Sequence, residues 1–291
     1  GHDSVHGAYP GTVEVEGDSL RVDGAPVAVL AERDPARLPW REMGVDYVFE
    51  ATGLFRERSK AAAHLEAGAA RVVITAPGKK VDATFVMGVN HADYDPAAHQ
   101  VVSNASCTTN CLAPVVKVLH ETVGIRHGWL TTTHAYTNDQ RILDVQHPSD
   151  MRRARAAAVN IIPTTTGAAK AIGLVYPQLE GRLDGAAMRV PVADGSVCDL
   201  VFVADRPSSA DELREAFRRA AAGELAGILR ATDEPLVSTD VIGERHSAVV
   251  DLEFLSQVAP DFFRVVAWYD NENAYALRCV DLLEHMDAHE G

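Results

Sequence analysis

The amino-acid sequence predicts an α/β protein in two parts: a parallel sheet interleaved with helices, then an α+β domain built on an antiparallel sheet. Three observations carry this. Up to Asn104, short apolar runs alternate with helix-forming stretches, the pattern of parallel β/α units. After Asn110 the apolar runs are longer, richer in β-branched residues and irregularly linked. No internal repeat, low-complexity stretch or Gly/Ser-rich linker interrupts the 291 residues, enough for two ordinary domains.

In chain order, residues 45–50 read as a strand and Ala51-Thr52-Gly53-Leu54-Phe55 as the turn that leaves it. Residues 59–70 form an Ala-rich helix, and 71–75 a strand stopped by Ala76-Pro77-Gly78. Residues 84–88 and 100–103 are further short apolar runs. Ligands of such sheets sit at the C-terminal ends of strands, where Thr52-Gly53 and Thr75-Ala76-Pro77 fall. In the second part, residues 128–133, 185–192, 196–204, 247–252 and 263–268 read as strands. Ser209-Ala210-Asp211-Glu212 is a capping box that opens a helix running to Gly223. Residues 275–286 form a terminal amphipathic helix.

Composition narrows the function. The chain is 47% apolar and 23% charged, as soluble globular proteins are. With 27 Lys and Arg against 41 Asp and Glu, its net charge of −14 argues against a nucleic-acid groove or an anionic membrane surface as partner. No apolar run reaches the ~18–20 residues of a membrane helix. Gly1-His2-Asp3-Ser4 has neither the basic start nor the apolar stretch of a leader, and four cysteines are too few for a disulfide scaffold. A cytoplasmic protein is the expectation. Because residue 1 is not Met, the chain reads as a trimmed or processed piece.

The strongest chemical signal is Ser103-Asn104-Ala105-Ser106-Cys107-Thr108-Thr109-Asn110-Cys111. A strand ends, small polar capping residues follow, and an apolar helix begins at Leu112, with Pro114 kinking it or marking its first turn. Cys107 thus sits at a helix N-terminus, where unpaired N–H groups favour a thiolate and can hold an oxyanion. A small core cysteine is the alternative. His134, ending the run Thr131-Thr132-Thr133, is its natural partner, because such a pair needs a histidine from another element; alone it would read as a packed residue. Arg152, Arg153 and Arg155 are either an anion site or a solvated face. Thr164-Thr165-Thr166-Gly167 is either a phosphate cradle or an ordinary helix cap. Arg189, inside the apolar Met188-Arg189-Val190, needs a partner for its charge.

Taken together these residues resemble the phosphorylating glyceraldehyde-3-phosphate dehydrogenase family. The matches run in order through Asp3-Ser4-Val5-His6-Gly7, Glu32-Arg33-Asp34-Pro35, Leu38-Pro39-Trp40, Glu50-Ala51-Thr52-Gly53 and Ala76-Pro77-Gly78-Lys79. They continue through residues 103–110, 132–137, 139–144, 152–158 and 162–171, Met188-Arg189-Val190-Pro191 and Trp268-Tyr269-Asp270-Asn271-Glu272. The resemblance implies a Rossmann-type domain over residues 1–106, a catalytic domain over 107–270, and a helix over 271–291 packing back on the first. It implies that Cys107 is the nucleophile and His134 its base. Thr137, Arg153 and Arg189 would hold the substrate phosphate, and Ser106, Thr108, Thr166 and Gly167 the attacking inorganic phosphate. Arg33, Thr52, Thr75, Asn138 and Asn271 would contact the cofactor, NAD, with NADP left open. No metal is implied. The substrates would be a triose phosphate and phosphate, the assembly a homotetramer, and residues 139–155 its S-shaped loop.

Three departures stand against the family pattern. No strand, Gly-rich loop and helix precede Asp3, so the parallel-sheet domain is expected to be incomplete, and residues 1–291 alone to turn over poorly and bind NAD weakly. Val145-Gln146-His147-Pro148-Ser149-Asp150 is one residue longer than the common bacterial form and shows neither the Leu-Pro of NAD forms nor the Ala-Ser of NADP forms. Val192-Ala193-Asp194-Gly195 stands where Thr-Pro-Asn-Val is usual, and Asn273-Ala274 where a Gly ends the pair. An erythrose-4-phosphate dehydrogenase paralogue and a non-catalytic binding protein without a cofactor cradle are the alternatives. The Thr-Thr-Thr-Gly run favours the triose phosphate, and the intact catalytic side chains favour an enzyme.

Overall fold

A computed structural model describes residues 1–290. Its first element is a hairpin, β1 (His2–Asp3) against β2 (Gly7–Ala8). A three-stranded antiparallel meander follows, β3 (Val13–Glu16), β4 (Ser19–Val22) and β5 (Ala25–Ala28). The turn from β4 to β5 is Asp23-Gly24, with φ of +48° and +81°, the two positive values a type I′ hairpin demands. The sequence reading passed over this meander. Its outer strands lie open to solvent and β4 is only half-buried, so no buried face marks them.

The parallel sheet follows α1 (Trp40–Met43). It comprises β6 (Tyr47–Glu50), β7 (Arg71–Ile74), β8 (Ala83–Thr84) and β9 (Val101–Ser103), ordered β6-β7-β9-β8. All of its pairings are parallel. The helix expected over 59–70 is shorter and broken at Ala62 into α2 (Arg58–Ala61) and α3 (Ala63–Glu66). The apolar run 84–88 pairs only as far as Thr84. Asn90 stops it by accepting from the Val86 N–H and donating to the Thr84 carbonyl, both within 2.9 Å.

Strand β9 runs directly into α4 (Cys107–Val123), which starts five residues before Leu112 and carries Pro114 in its interior. The early start follows from internal capping. Ser106 Oγ accepts from the Thr109 N–H, and Asn110 Nδ2 donates to the carbonyls of Asn104 and Ser106. Polar residues 108–110, read from the sequence as capping residues ahead of the helix, are therefore buried within its first turn.

The second sheet contains β10 (His127–Ala135), β11 (Ile162–Thr165), β12 (Leu183–Val190), β13 (Ser196–Val203), β14 (Leu229–Thr232), β15 (Ala248–Ala259) and β16 (Phe262–Tyr269). Its order is β11-β12-β10-β13-β16-β15-β14. The centre is antiparallel, as expected, but β10/β12 and β14/β15 pair in parallel, making the sheet mixed. Helices α4, α5 (Ala168–Val175) and α6 (Ala210–Ala222) share one core with this sheet through Leu112, Leu119, Ile172, Phe217, Leu130 and Phe202. Along β13, burial alternates strictly, the mark of a sheet with one covered face. Helix α7 (Asn273–Asp287) returns to the parallel sheet, where Leu282 and Met286 pack with Val73, Phe85 and Val102. No described helix is long and apolar enough to cross a membrane.

Candidate active site

The junction of β9 and α4 is built around a strained residue. Ala105 has φ of +55°, rarely adopted by a residue with a Cβ, and Ser106 then caps the helix. Cys107 is the first residue of α4. It is half-buried, whereas Cys111, Cys198 and Cys279 are fully buried. Its Sγ lies 3.4 Å from His134 Nε2.

The other side of the imidazole is equally defined. Parallel pairing sets His134 opposite Arg189 in register. His134 Nδ1 lies 2.8 Å from the Ala135 carbonyl and 2.5 Å from Arg189 Nη1, which itself donates to that carbonyl at 3.1 Å. A carbonyl only accepts, so Nδ1 is assigned the proton and Nε2 presents its lone pair to the thiol. Arg189 Nε is buried with no hydrogen-bond partner.

Burial pushes the Cys107 thiol up to about 11, while the Arg189 charge and hydrogen bonding from Thr108 pull it down. Burial, reinforced by Arg189, pushes His134 down to about 3. The lowered thiol expected from the helix N-terminus is therefore corrected by burial. What still favours a thiolate is Arg189, Thr108 and a proton acceptor at hydrogen-bonding range.

A cleft of ≈1130 Å³ opens from this pair along the C-terminal ends of the parallel strands. Of the residues singled out in the sequence, it is lined by Thr75, Ser106, Cys107, Thr137 and Asn138. His134 and Arg189 stand behind Cys107. Thr108 points inward instead, its hydroxyl 2.9 Å from the Tyr269 phenol. Thr52 turns its hydroxyl onto the buried Glu50 carboxylate. Asn271 accepts from Ser196 Oγ at 2.5 Å. Arg153 is held by Asp139, Asp150 and Thr164. Thr166 and Gly167 cap α5, the Thr166 hydroxyl accepting from the Ala168 N–H at 3.2 Å. Arg33, Thr166 and Gly167 do not line the cleft.

Sequence reasoning missed Tyr269 and Tyr275. The Tyr269 phenol joins Thr108 to Thr132, and its ring meets His134 edge-on at 5.8 Å. Tyr275 lines the cleft and donates to the Ala105 carbonyl at 3.1 Å, bracing the strained residue. The available signal was a phenol within an apolar strand, which needs a polar partner when buried.

Comparison with known proteins follows the same lines. The profile described as "Glyceraldehyde 3-phosphate dehydrogenase, NAD binding domain" matches residues 1–58, and that described as "Glyceraldehyde 3-phosphate dehydrogenase, C-terminal domain" matches residues 106–271. A glyceraldehyde-3-phosphate dehydrogenase of Geobacillus stearothermophilus is 54% identical over 285 residues, covering 98% of this chain and 85% of that protein. Glyceraldehyde-3-phosphate dehydrogenase 1 of Bacillus subtilis is 52% identical over 98% of this chain and 85% of its own length. A glyceraldehyde-3-phosphate dehydrogenase of Zymomonas mobilis is 52% identical over 98% of this chain and 84% of its own.

Proposed function

Because the chain belongs to the glyceraldehyde-3-phosphate dehydrogenase family, we propose a division of labour among its residues for oxidising and phosphorylating glyceraldehyde 3-phosphate in glycolysis. The protein is an oxidoreductase and its cofactor is NAD. The cleft suits that cofactor in size, lies at strand C-terminal ends, and reaches the reactive thiol. Thr75 and Asn138 on its wall, with Asn271, Thr52 and Arg33, would hold the dinucleotide. When bound, NAD supplies the acceptor for the substrate's hydride.

The chain's own residues account for the rest. Cys107 Sγ attacks the aldehyde carbon, forming a C–S bond while the carbonyl electrons move to oxygen. The N–H groups of the first turn of α4 stabilise that oxygen. His134 Nε2 takes the thiol proton, returns it to that oxygen to give the hemithioacetal hydroxyl, and takes it back as the hydride leaves the carbon. Oxidation leaves an acyl thioester on Cys107. A phosphate oxygen then attacks the thioester carbon, the C–S bond breaks, and the acyl phosphate 1,3-bisphosphoglycerate departs. Arg189, Arg153 and Thr137 would bind the substrate phosphate; Ser106, Thr108, Thr166 and Gly167 would bind the attacking one.

The observation that carries this reading is the 3.4 Å approach of Cys107 Sγ to His134 Nε2, with Arg189 Nη1 on the far side of the imidazole. It is tested by following NADH formation from glyceraldehyde 3-phosphate with and without phosphate, for the parent protein and Cys107→Ser. Activity that survives the substitution would remove Cys107 from its role.

Two further readings belong here. Residues 139–161 expose Ile142, Leu143, Val145, Met151, Val159 and Ile161, an apolar set that supports burial against other copies in a homotetramer. The mass of the particle in solution tests this. The three-part division at residues 106 and 270 is supported by the packing of α7 on the parallel sheet. A cytoplasmic site of action fits glycolytic chemistry.

A further inference from the structure

Three side chains from distant parts of the sequence converge next to Asn271. His6, in the β1–β2 hairpin, directs Nε2 at Asp270 Oδ2 (3.1 Å) and Asp194 Oδ2 (3.3 Å). Both carboxylates are completely covered, while His6 is about a quarter exposed. The other oxygens grip the backbone. Asp194 Oδ1 accepts from the N–H of Gly195 (2.7 Å) and of Asn271 (3.3 Å). Asp270 Oδ1 accepts from the N–H of Glu272 (2.8 Å) and Asn273 (2.7 Å), and its Oδ2 from that of Gly243 (2.7 Å).

Asn271 is thereby fixed from both ends. Its main chain is tied to Asp194. Its Oδ1 accepts from Ser196 Oγ, which in turn accepts from the N–H of Ala135, the residue after His134. We propose that His6, Asp194 and Asp270 are positioning residues that hold Asn271 so that its amide addresses the cofactor. The proposal rests on Asn271 being a cofactor contact.

The physical argument is one of charge. Two buried carboxylates side by side repel, and neither persists ionised without a counter-charge. Asp194 is pushed up to about 6, chiefly by burial, with the Asp270 and Glu272 carboxylates adding to the rise and the Gly195 N–H opposing it. Burial also works against a charged His6, but the hydrogen bond and charge of Asp270, with the charges of Asp194 and Asp3, outweigh it and raise its pKa. The charged groups facing the cluster are Asp3 from the hairpin, 3.5 Å from His6 Nδ1, and Glu272, 4.0 Å from it. His6 is thus the cation that allows both carboxylates to keep accepting backbone N–H groups. When Asp194 takes up a proton, its grip on the Asn271 N–H changes from charge-assisted to neutral and weakens.

The test compares Asn271→Ala, His6→Gln, Asp194→Ala and Asp194→Asn, reading KM for NAD, kcat, and the rate of Cys107 alkylation, which needs no cofactor. Loss of one hydrogen bond corresponds to about a 3- to 10-fold change. Asn271→Ala, His6→Gln and Asp194→Ala are expected to raise KM for NAD by at least that factor and leave alkylation unchanged. Asp194→Asn keeps an acceptor without the charge. It should hold KM between those of the parent and Asp194→Ala at neutral pH, near the value the parent reaches in acid, and abolish the rise in KM that the parent shows on acidification. If Asn271→Ala raises KM while His6→Gln and Asp194→Ala do not, the triad does not position Asn271. If Asn271→Ala itself leaves KM unchanged, the cofactor-contact reading fails, and the triad's role with it. His6→Gln lies on an exposed hairpin and keeps the test open should Asp194→Ala fail to fold.

Discussion

Arg189 Nη1 lies 2.5 Å from His134 Nδ1, on the side of the imidazole opposite the Cys107 thiol. With the proton on Nδ1, both groups donate to the Ala135 carbonyl, so the guanidinium would fix the acceptor that orients the base and leave its buried Nε for an anion. Replacing Arg189 with Leu should slow both glyceraldehyde 3-phosphate and unphosphorylated glyceraldehyde, because His134 loses its support. The phosphorylated substrate should lose a further ~10- to 150-fold, the worth of a charge-assisted hydrogen bond. The ratio of the two kcat/KM values measures this. An unchanged ratio would make Arg189 a support for His134 only.

Limiting iodoacetamide at neutral pH should label Cys107 ahead of the other cysteines, since it alone is not buried. His134→Asn should slow that labelling by about 10²-fold or more by removing the proton acceptor. Peptide mapping of the adduct decides. First labelling at Cys111, Cys198 or Cys279 would contradict the site.

Glu244 sets an acid limit on stability. Burial pushes its carboxyl up, but the His246 side chain and the N–H groups of His246 and Arg245 outweigh this and hold it down to about 2. Its folded pKa lies below the unfolded value, so its contribution is complete above about pH 4.5 and is lost as pH falls toward 2. Glu244→Gln should cost up to about 3 kcal/mol at neutral pH, at 1.36 kcal/mol per pKa unit. It should also flatten the stability curve between those limits. Denaturant unfolding across pH gives both numbers, and an unchanged acid slope would exclude Glu244 as its source.

Gly195 has φ of +83°, and a Cβ there would lie 2.1 Å from the Ser238 carbonyl. Gly195→Ala should therefore destabilise by at least about 2 kcal/mol, combining strain with a backbone clash. A melting temperature equal to the parent's would contradict the turn described here.

Much of this was legible in the sequence. Strands β6, β7 and β9 and the helix cap at Ser209 follow from apolar runs and capping residues, because burial and capping leave periodic marks. Cys107, His134 and Arg189 were each singled out from local context. What sequence alone could not supply was the register that sets His134 against Arg189, a long-range strand pairing. The β3–β5 meander was missed because β3 and β5 are exposed on both faces and β4 is only half-buried, despite the Asp23-Gly24 signal. The start of α4 was misplaced because the polar residues 108–110 are satisfied by Tyr269, Ser106 and Asn104, so polar residues mark a buried turn. Asp194 stood out as a departure, but its partners His6 and Asp270 are 188 and 76 residues away.

The central claim is that a Cys107 thioester links oxidation to phosphorylation. A rapid-mixing measurement of NADH from glyceraldehyde 3-phosphate and NAD, without phosphate, tests it most directly. The account predicts a burst of no more than one NADH per Cys107, then a stall that phosphate relieves, and no burst in Cys107→Ser. Steady turnover without phosphate at the phosphate-supported rate, or a burst that survives Cys107→Ser, would contradict it.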